Sequence, residues 1–179
     1  MPRADQKIII NGDEIDRLRV NSRAKHLILK DYLPAWAGIL GKFSPKINYI
    51  DCFAGPGEYS WKDQIVEGSP IISVKELSDL MTSSWPNKPS SVNLLFLDSD
   101  ENQLSKLKTK IDSIEERSPA LQIKIVQADS ERIIGENIEK IEKLAPSVFF
   151  IDPYGNPFSL SLMNKIMKSG KAEIIVNFM

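Results

Sequence analysis

A chain of 179 residues, 42% hydrophobic and 26% charged with 9 Gly and 11 Pro, is sized for one domain with a proper core. That composition excludes a disordered chain, a collagen-like repeat and a coiled coil. Net charge is −1; one cysteine, Cys52, excludes an intramolecular disulfide, and one histidine, His26, excludes a Cys/His zinc cluster.

No run approaches the roughly 18 apolar residues needed to span a bilayer, and the start carries no apolar signal core. No membrane or metal partner is indicated, and a soluble cytoplasmic domain is expected. The charge is uneven. Residues 1–46 hold nine Lys and Arg against five Asp and Glu, or +4, whereas residues 47–179 hold fourteen against nineteen, or −5. A basic leading segment suits contact with phosphates, although a solvated helix face gives the same count.

Residues 1–20 pair an apolar run, Ile8-Ile9-Ile10, with an Asn11-Gly12 turn signal, and predict a small hairpin or arm. From about Lys25 to Leu40, the residues Leu29, Tyr32, Leu33, Trp36, Ile39 and Leu40 recur at helical steps and predict one apolar stripe. Pro34 predicts a kink or break within it, and Gly41 a stop. This arm and helix (1–46) are expected to pack on a core domain spanning 47–179.

Beyond residue 46 the pattern changes to short apolar runs: Ile47–Phe53, Val92–Leu97, Ile123–Ala128, Val148–Ile151 and Ile174–Phe178. Rich in Ile, Val and Phe, they read as strands buried on both faces. Between them lie amphipathic helices. One is expected to start at Ser69-Pro70. Others carry Leu104, Leu107, Ile111 and Ile114; then Ile134, Ile138, Ile141 and Leu144; then Leu160, Met163, Ile166 and Met167. Asp100, Ser130 after Asp129, and Ser159 are suitable N-caps, and Gly170 closes the last helix. Five strands alternating with helices predict a Rossmann-like, doubly wound, mainly parallel α/β sheet. The chain stops at the fifth strand, where such domains usually continue, so a fragment of a longer protein is expected.

In such sheets, ligands bind outside the carboxyl ends of the strands. Strand one runs into Asp51, strand two into Asp98, strand three into Asp129 and strand four into Asp152. Gly55-Pro56-Gly57 lacks the third glycine of a dinucleotide fingerprint, and Asp98 lies 43 residues after Gly55, so NAD is disfavoured. The P-loop pattern is absent. A nucleoside fits better: a glycine turn lets backbone approach a ligand closely, Asp98 can accept from a ribose diol, and Asp129 from an adenine amino group. Helix capping competes for both aspartates, with Asp100 and Ser130 as alternative caps. This is the arrangement that holds S-adenosylmethionine in class I methyltransferases.

Tyr49-Ile50-Asp51-Cys52-Phe53-Ala54-Gly55-Pro56-Gly57, Gly68-Ser69-Pro70 and Phe150-Ile151-Asp152-Pro153-Tyr154-Gly155 resemble the three-Cys-motif partner family. The leading helix, with Lys25, Leu29, Tyr32-Leu33 and Trp36, resembles that family's N-terminal signature, so the likeness covers about residues 22–179. The family is methyltransferase-like. The resemblance implies that Asp51, Ala54, Gly55 and Gly57 form a first S-adenosylmethionine loop; a tight turn without ligand is the alternative. Asp152-Pro153-Tyr154 resembles the Asp-Pro-Pro-Tyr motif of amino-methyltransferases acting on adenine or cytosine. There the acid and a proline carbonyl hold the target amino group while the aromatic ring stacks on the base. Here the second proline is missing and the aromatic comes one position early. A strand-ending turn is the alternative.

A nucleic-acid base is the preferred substrate, and a catalytically silent module binding nucleic acid or a partner protein is the second reading. Cys52 is expected to be buried and inert, His26 to lie on the surface and Lys25 to be solvated. Trp36 is expected in the core. Trp61, in a polar segment 58–68, is a candidate lid.

Overall fold

The computed structural model describes residues 7–10, 13–137, 145–153 and 158–176. A short antiparallel pair, β1 (Lys7–Ile10) and β2 (Asp13–Asp16), forms the arm. Helix α1 (Val20–Leu40) follows and starts five residues before the expected Lys25. Of the kink or break expected at Pro34, no break occurs, since α1 runs through it. A proline removes one bond and crowds the Lys30 carbonyl, but Leu29, Leu33, Trp36 and Ala37 are buried on either side of it. Packing of that stripe outweighs the local penalty. Gly41 ends the helix with its N–H on the Ala37 carbonyl at 2.9 Å.

Five parallel strands make the central sheet: β3 (Lys46–Asp51), β6 (Ser91–Asp98), β7 (Leu121–Gln127), β8 (Ser147–Ile151) and β9 (Ala172–Val176). Their spatial order is β7-β6-β3-β8-β9. Numbered along the chain, that order is 3-2-1-4-5, the doubly wound arrangement. The fold is Rossmann-like. The helices α2 (Ser69–Thr82), α3 (Glu101–Asp112), α4 (Ser130–Glu136) and α5 (Leu160–Lys168) lie between the strands in sequence. Of the helical stripe expected after strand three, Ile134 is buried on α4. Its continuation, Ile138, Ile141 and Leu144, lies outside the described residues.

Strand residues alternate between two cores. Ile47, Tyr49, Phe96, Val148 and Phe150 pack with α1, α2 and α3 on one face. Ile50, Cys52, Leu97, Phe149 and Ile151 pack with α4 and α5 on the other. Cys52 is fully buried, and burial pushes its thiol well above the ordinary range. Trp36, in the core as expected, donates its indole N–H to Glu173 on β9 at 3.1 Å.

The segment 58–68 is not a loop. It folds as a hairpin of β4 (Glu58–Trp61) and β5 (Gln64–Glu67). Its two-residue turn, Lys62-Asp63, has positive φ at both positions, which matches the twist of the flanking strands. The arm leans on this hairpin: Arg17 bridges to Ser60, and the Leu18 N–H reaches the Ser60 carbonyl at 2.8 Å.

Leu107 is fully buried and lies against Gly57. Leu107→Ala should therefore cost about 2–5 kcal/mol of stability. Urea denaturation followed by tryptophan fluorescence measures it; a loss under about 1 kcal/mol would contradict this packing.

Candidate functional site

Strand order reverses between β3 and β8, and a cleft of about 310 Å3 opens beyond their carboxyl ends. One wall is the arm and the start of α1, including Arg17, Arg19, Ser22 and His26. The β3–β4 turn contributes Gly55 and Tyr59, the end of β6 contributes Asp98, and β8 leads into Asp152 and Pro153. The sheet places these groups together because all five strands point their carboxyl ends the same way.

Asp51 does not line the cleft. It is fully buried beneath the β3–β4 turn, where Oδ1 accepts from the Phe53 N–H at 3.2 Å and Oδ2 from the Tyr49 hydroxyl at 3.2 Å. Burial raises its pKa from 3.8 to about 7, against the pull of bonds from Ser69, Phe53 and Tyr49. Ala54 and Gly57 are likewise buried outside the cleft lining. Gly57 has φ +84°, and a Cβ there would stand 2.9 Å from Leu107 Cδ1, so this glycine serves packing.

Gly55 has φ +62°, and its N–H donates to Asp98 Oδ2 at 2.9 Å. The close approach expected of a ligand at this glycine is taken by the chain itself: the Tyr59 hydroxyl occupies the space a Cβ would need. Asp98 is half-buried, and its Oδ1 accepts from the Asp100 N–H at 2.9 Å. Two of its roughly four acceptor positions are thus used and the rest stay open.

Asp100 caps α3, accepting from Asn102 N at 2.8 Å, which leaves Asp98 free of that task. Asp129 is exposed, lies outside the cleft lining and caps α4 through Arg132 N at 2.8 Å. Of its two sequence readings, capping is the one seen. Ser130, the other candidate cap, is buried and donates its hydroxyl to the Cys52 carbonyl.

Two residues depart from expectation. Lys25 is not solvated: its side chain is 13% exposed and forms an ion pair with Asp152, itself 16% exposed. The Ser22 hydroxyl also reaches Asp152, at 3.4 Å. His26 is not on the surface: it is 3% exposed, and its ring lies 6.0 Å from that of Tyr59. Burial lowers its pKa from 6.5 to about 4; Asp152 pulls upward, Lys25 and Arg23 downward. The sequence held a signal for both. Continuing the buried stripe of α1 back from Leu29 by three and four positions lands on His26 and Lys25. Pro153 lines the cleft, whereas Tyr154 lies outside the described residues. Trp61 does not line it; Lys62 Nζ sits 5.9 Å from its ring centroid.

No protein-family model matches the chain, and no curated protein matches it. A solved structure from Haemophilus influenzae, described as "putative methylase HI0767", matches at 16% identity, covering 92% of this chain and 74% of its own. Its TM-score is 0.36, a loose overlap. The fold assignment rests on the strand order, which is the doubly wound arrangement. No helix among the described residues is long and apolar enough to cross a membrane.

Asp51 and His26 have opposite effects on stability. His26, depressed to about 4, contributes stability that is complete above 6.5 and lost as pH falls toward 4. Asp51, raised to about 7, contributes stability that is complete below 3.8 and lost as pH rises toward 7. Between those limits the two slopes oppose, each at most about 1.4 kcal/mol per pH unit. Relative to the parent, Asp51→Asn should make stability rise more steeply from about pH 4.5 to 6.5, and His26→Gln should make it fall. Urea midpoints across that range measure both; identical slopes in all three proteins would refute the assignment.

Proposed function

We propose that the cleft binds S-adenosylmethionine and that the chain is a methyltransferase-like domain of the three-Cys-motif partner type, acting on an amino group of a nucleic-acid base. The observation that carries this reading is Asp98. It stands at the end of the second sheet strand, beside the topological switch point, with its carboxylate fixed by the Gly55 and Asp100 N–H groups.

The residues present fit the cofactor. A half-buried carboxylate with open acceptor positions suits a ribose diol. Arg17 and Arg19 on the opposite wall carry guanidinium groups suited to a carboxylate. A volume of about 310 Å3 lies at the lower end of ligand sites, so the Tyr59 hydroxyl beside Gly55 is the group to shift on binding. When bound, the cofactor supplies an electrophilic methyl group on a sulfonium. The chain's own task is orientation and exclusion of water. Asp98 would hold the ribose, while Asp152 and the Pro153 carbonyl would hold the target amino group. The +4 leading segment favours a polyanionic substrate.

One observation favours the silent binding module as the second reading. Asp152 is already paired with Lys25 and bonded by Ser22, so an incoming amine competes for an occupied carboxylate. The ion pair makes Asp152 a positioning group in that reading.

Calorimetry with S-adenosylhomocysteine tests the cofactor. Binding should appear with the parent protein and weaken by about 10–100-fold in Asp98→Ala, the loss expected for hydrogen bonds to a charged acceptor. Absence of binding by the folded parent would refute the proposal. For the reaction, Asp152→Asn should retain S-adenosylhomocysteine binding and lose methyl transfer to a nucleic-acid pool. A parent that binds the cofactor yet transfers nothing would establish the silent module.

A further inference from the structure

His26 is the chain's only histidine, and its Nδ1 is a buried polar atom with no hydrogen-bond partner. Orphaned polar atoms are costly in a folded protein and call for an explanation. The ring is 3% exposed, yet it forms part of the cleft wall, together with Ser22, Tyr59 and Asp152. The Glu67 backbone favours a proton on the ring, as the smallest of the influences on it. With no acceptor in reach of Nδ1, the proton belongs on Nε2 and Nδ1 keeps its lone pair. Lys25 and Arg23 disfavour a second proton, Asp152 favours one, and burial decides for the neutral ring.

A neutral imidazole protonated at one nitrogen can only accept at the other. The cleft lining carries a second acceptor, the Asp152 carboxylate, which Lys25 and Ser22 already engage and for which an incoming amine would compete. Two acceptor residues lining one cleft suit a group with two or more N–H bonds. Hydroxyls offer one donor, and carboxylates and phosphates offer none at neutral pH.

We propose that His26 Nδ1 and Asp152 form an amine-binding subsite, with the His26 lone pair as the acceptor that an incoming amino group satisfies. Two sources carry that chemistry: the α-amino group of the cofactor's amino-acid part, and the exocyclic amino group of a base. The first source rests on the cofactor reading above; the second does not require it.

The sole histidine makes the test direct, since one imidazole gives one pair of 15N resonances. In protein labelled at histidine nitrogen, the free state should show Nε2 protonated and Nδ1 unprotonated. The reverse tautomer would overturn the proposal. S-adenosylhomocysteine is then compared with methylthioadenosine, which lacks the amino-acid part, and cytidine is added both to the free protein and to protein saturated with S-adenosylhomocysteine. A shift of Nδ1 with S-adenosylhomocysteine but not methylthioadenosine assigns the amino-acid amine. A shift with cytidine assigns the base amine. His26→Phe should weaken the effective probe about tenfold and leave methylthioadenosine binding unchanged. If S-adenosylhomocysteine binds by calorimetry and no probe moves Nδ1, the subsite is refuted and the cofactor reading stands. If S-adenosylhomocysteine does not bind, the cofactor reading fails, and cytidine on the free protein decides the subsite: a shift supports it, and no shift refutes it.

Discussion

A sheet covered on both faces meets the solvent chiefly at the ends of its strands. This constraint organises the molecule. The strands are nearly continuous in Ile, Val, Leu and Phe because each face has helices to bury against. Parallel order then sends every carboxyl end to the same rim, and the change of winding direction between β3 and β8 parts the flanking chain there. A cleft at that point needs no special device. What makes this one chemically distinctive is the polar equipment each strand carries into it: a positive-φ glycine after β3, an anchored aspartate ending β6, and an ion-paired aspartate just past β8.

The fold was legible because both-face burial writes a long signal. Runs such as Val92–Leu97 and Val148–Ile151 have few other interpretations, and the caps Asp100 and Ser159 lie where their residue types place them. Pro34 does not break α1 because the buried Leu33, Trp36 and Ala37 hold the helix by packing on either side of it. The segment 58–68 hid its hairpin because each strand is only four residues long and the turn is Lys62-Asp63 rather than a glycine pair. A type I′ turn built from non-glycine residues carries almost no sequence signature.

The site was legible at the strand ends and opaque on α1. Asp98 and Asp152 follow apolar runs, so the sheet itself announces where they sit. Lys25 and His26 enter from an element with no such rule, and polar residues on a helix read by default as solvated. The buried stripe of α1 continues back to them, and laying α1 against the cleft supplies the reason for Lys25, since Asp152 offers it a counter-charge. Asp51 taught the opposite lesson. An acid at the end of an apolar strand can turn under the floor rather than into the cleft, holding the Phe53 N–H and so shaping the turn that carries Gly55.

The walls of the cleft are held with unequal strength. Its floor is fixed by buried or half-buried bonds, among them Gly55 N to Asp98 at 2.9 Å and Gly68 N to the Gly57 carbonyl at 2.7 Å. The arm is held at its end by the Arg17–Ser60 bridge and the Leu18 N–H on the Ser60 carbonyl at 2.8 Å, and further out by Gln103 on Asp16 at 3.5 Å and Lys106 on the Glu14 carbonyl at 3.4 Å. The two outer side-chain contacts are long, partly solvated and worth little each, and local opening follows the weakest set of bonds. A ligand too large for the closed cleft therefore displaces the arm before it disturbs the floor. Affinity is then set by how far new contacts with Arg17 and Arg19 repay the lost contacts of the arm, while the geometry at Asp98, Asp152 and His26 stays as the sheet and α1 fix it.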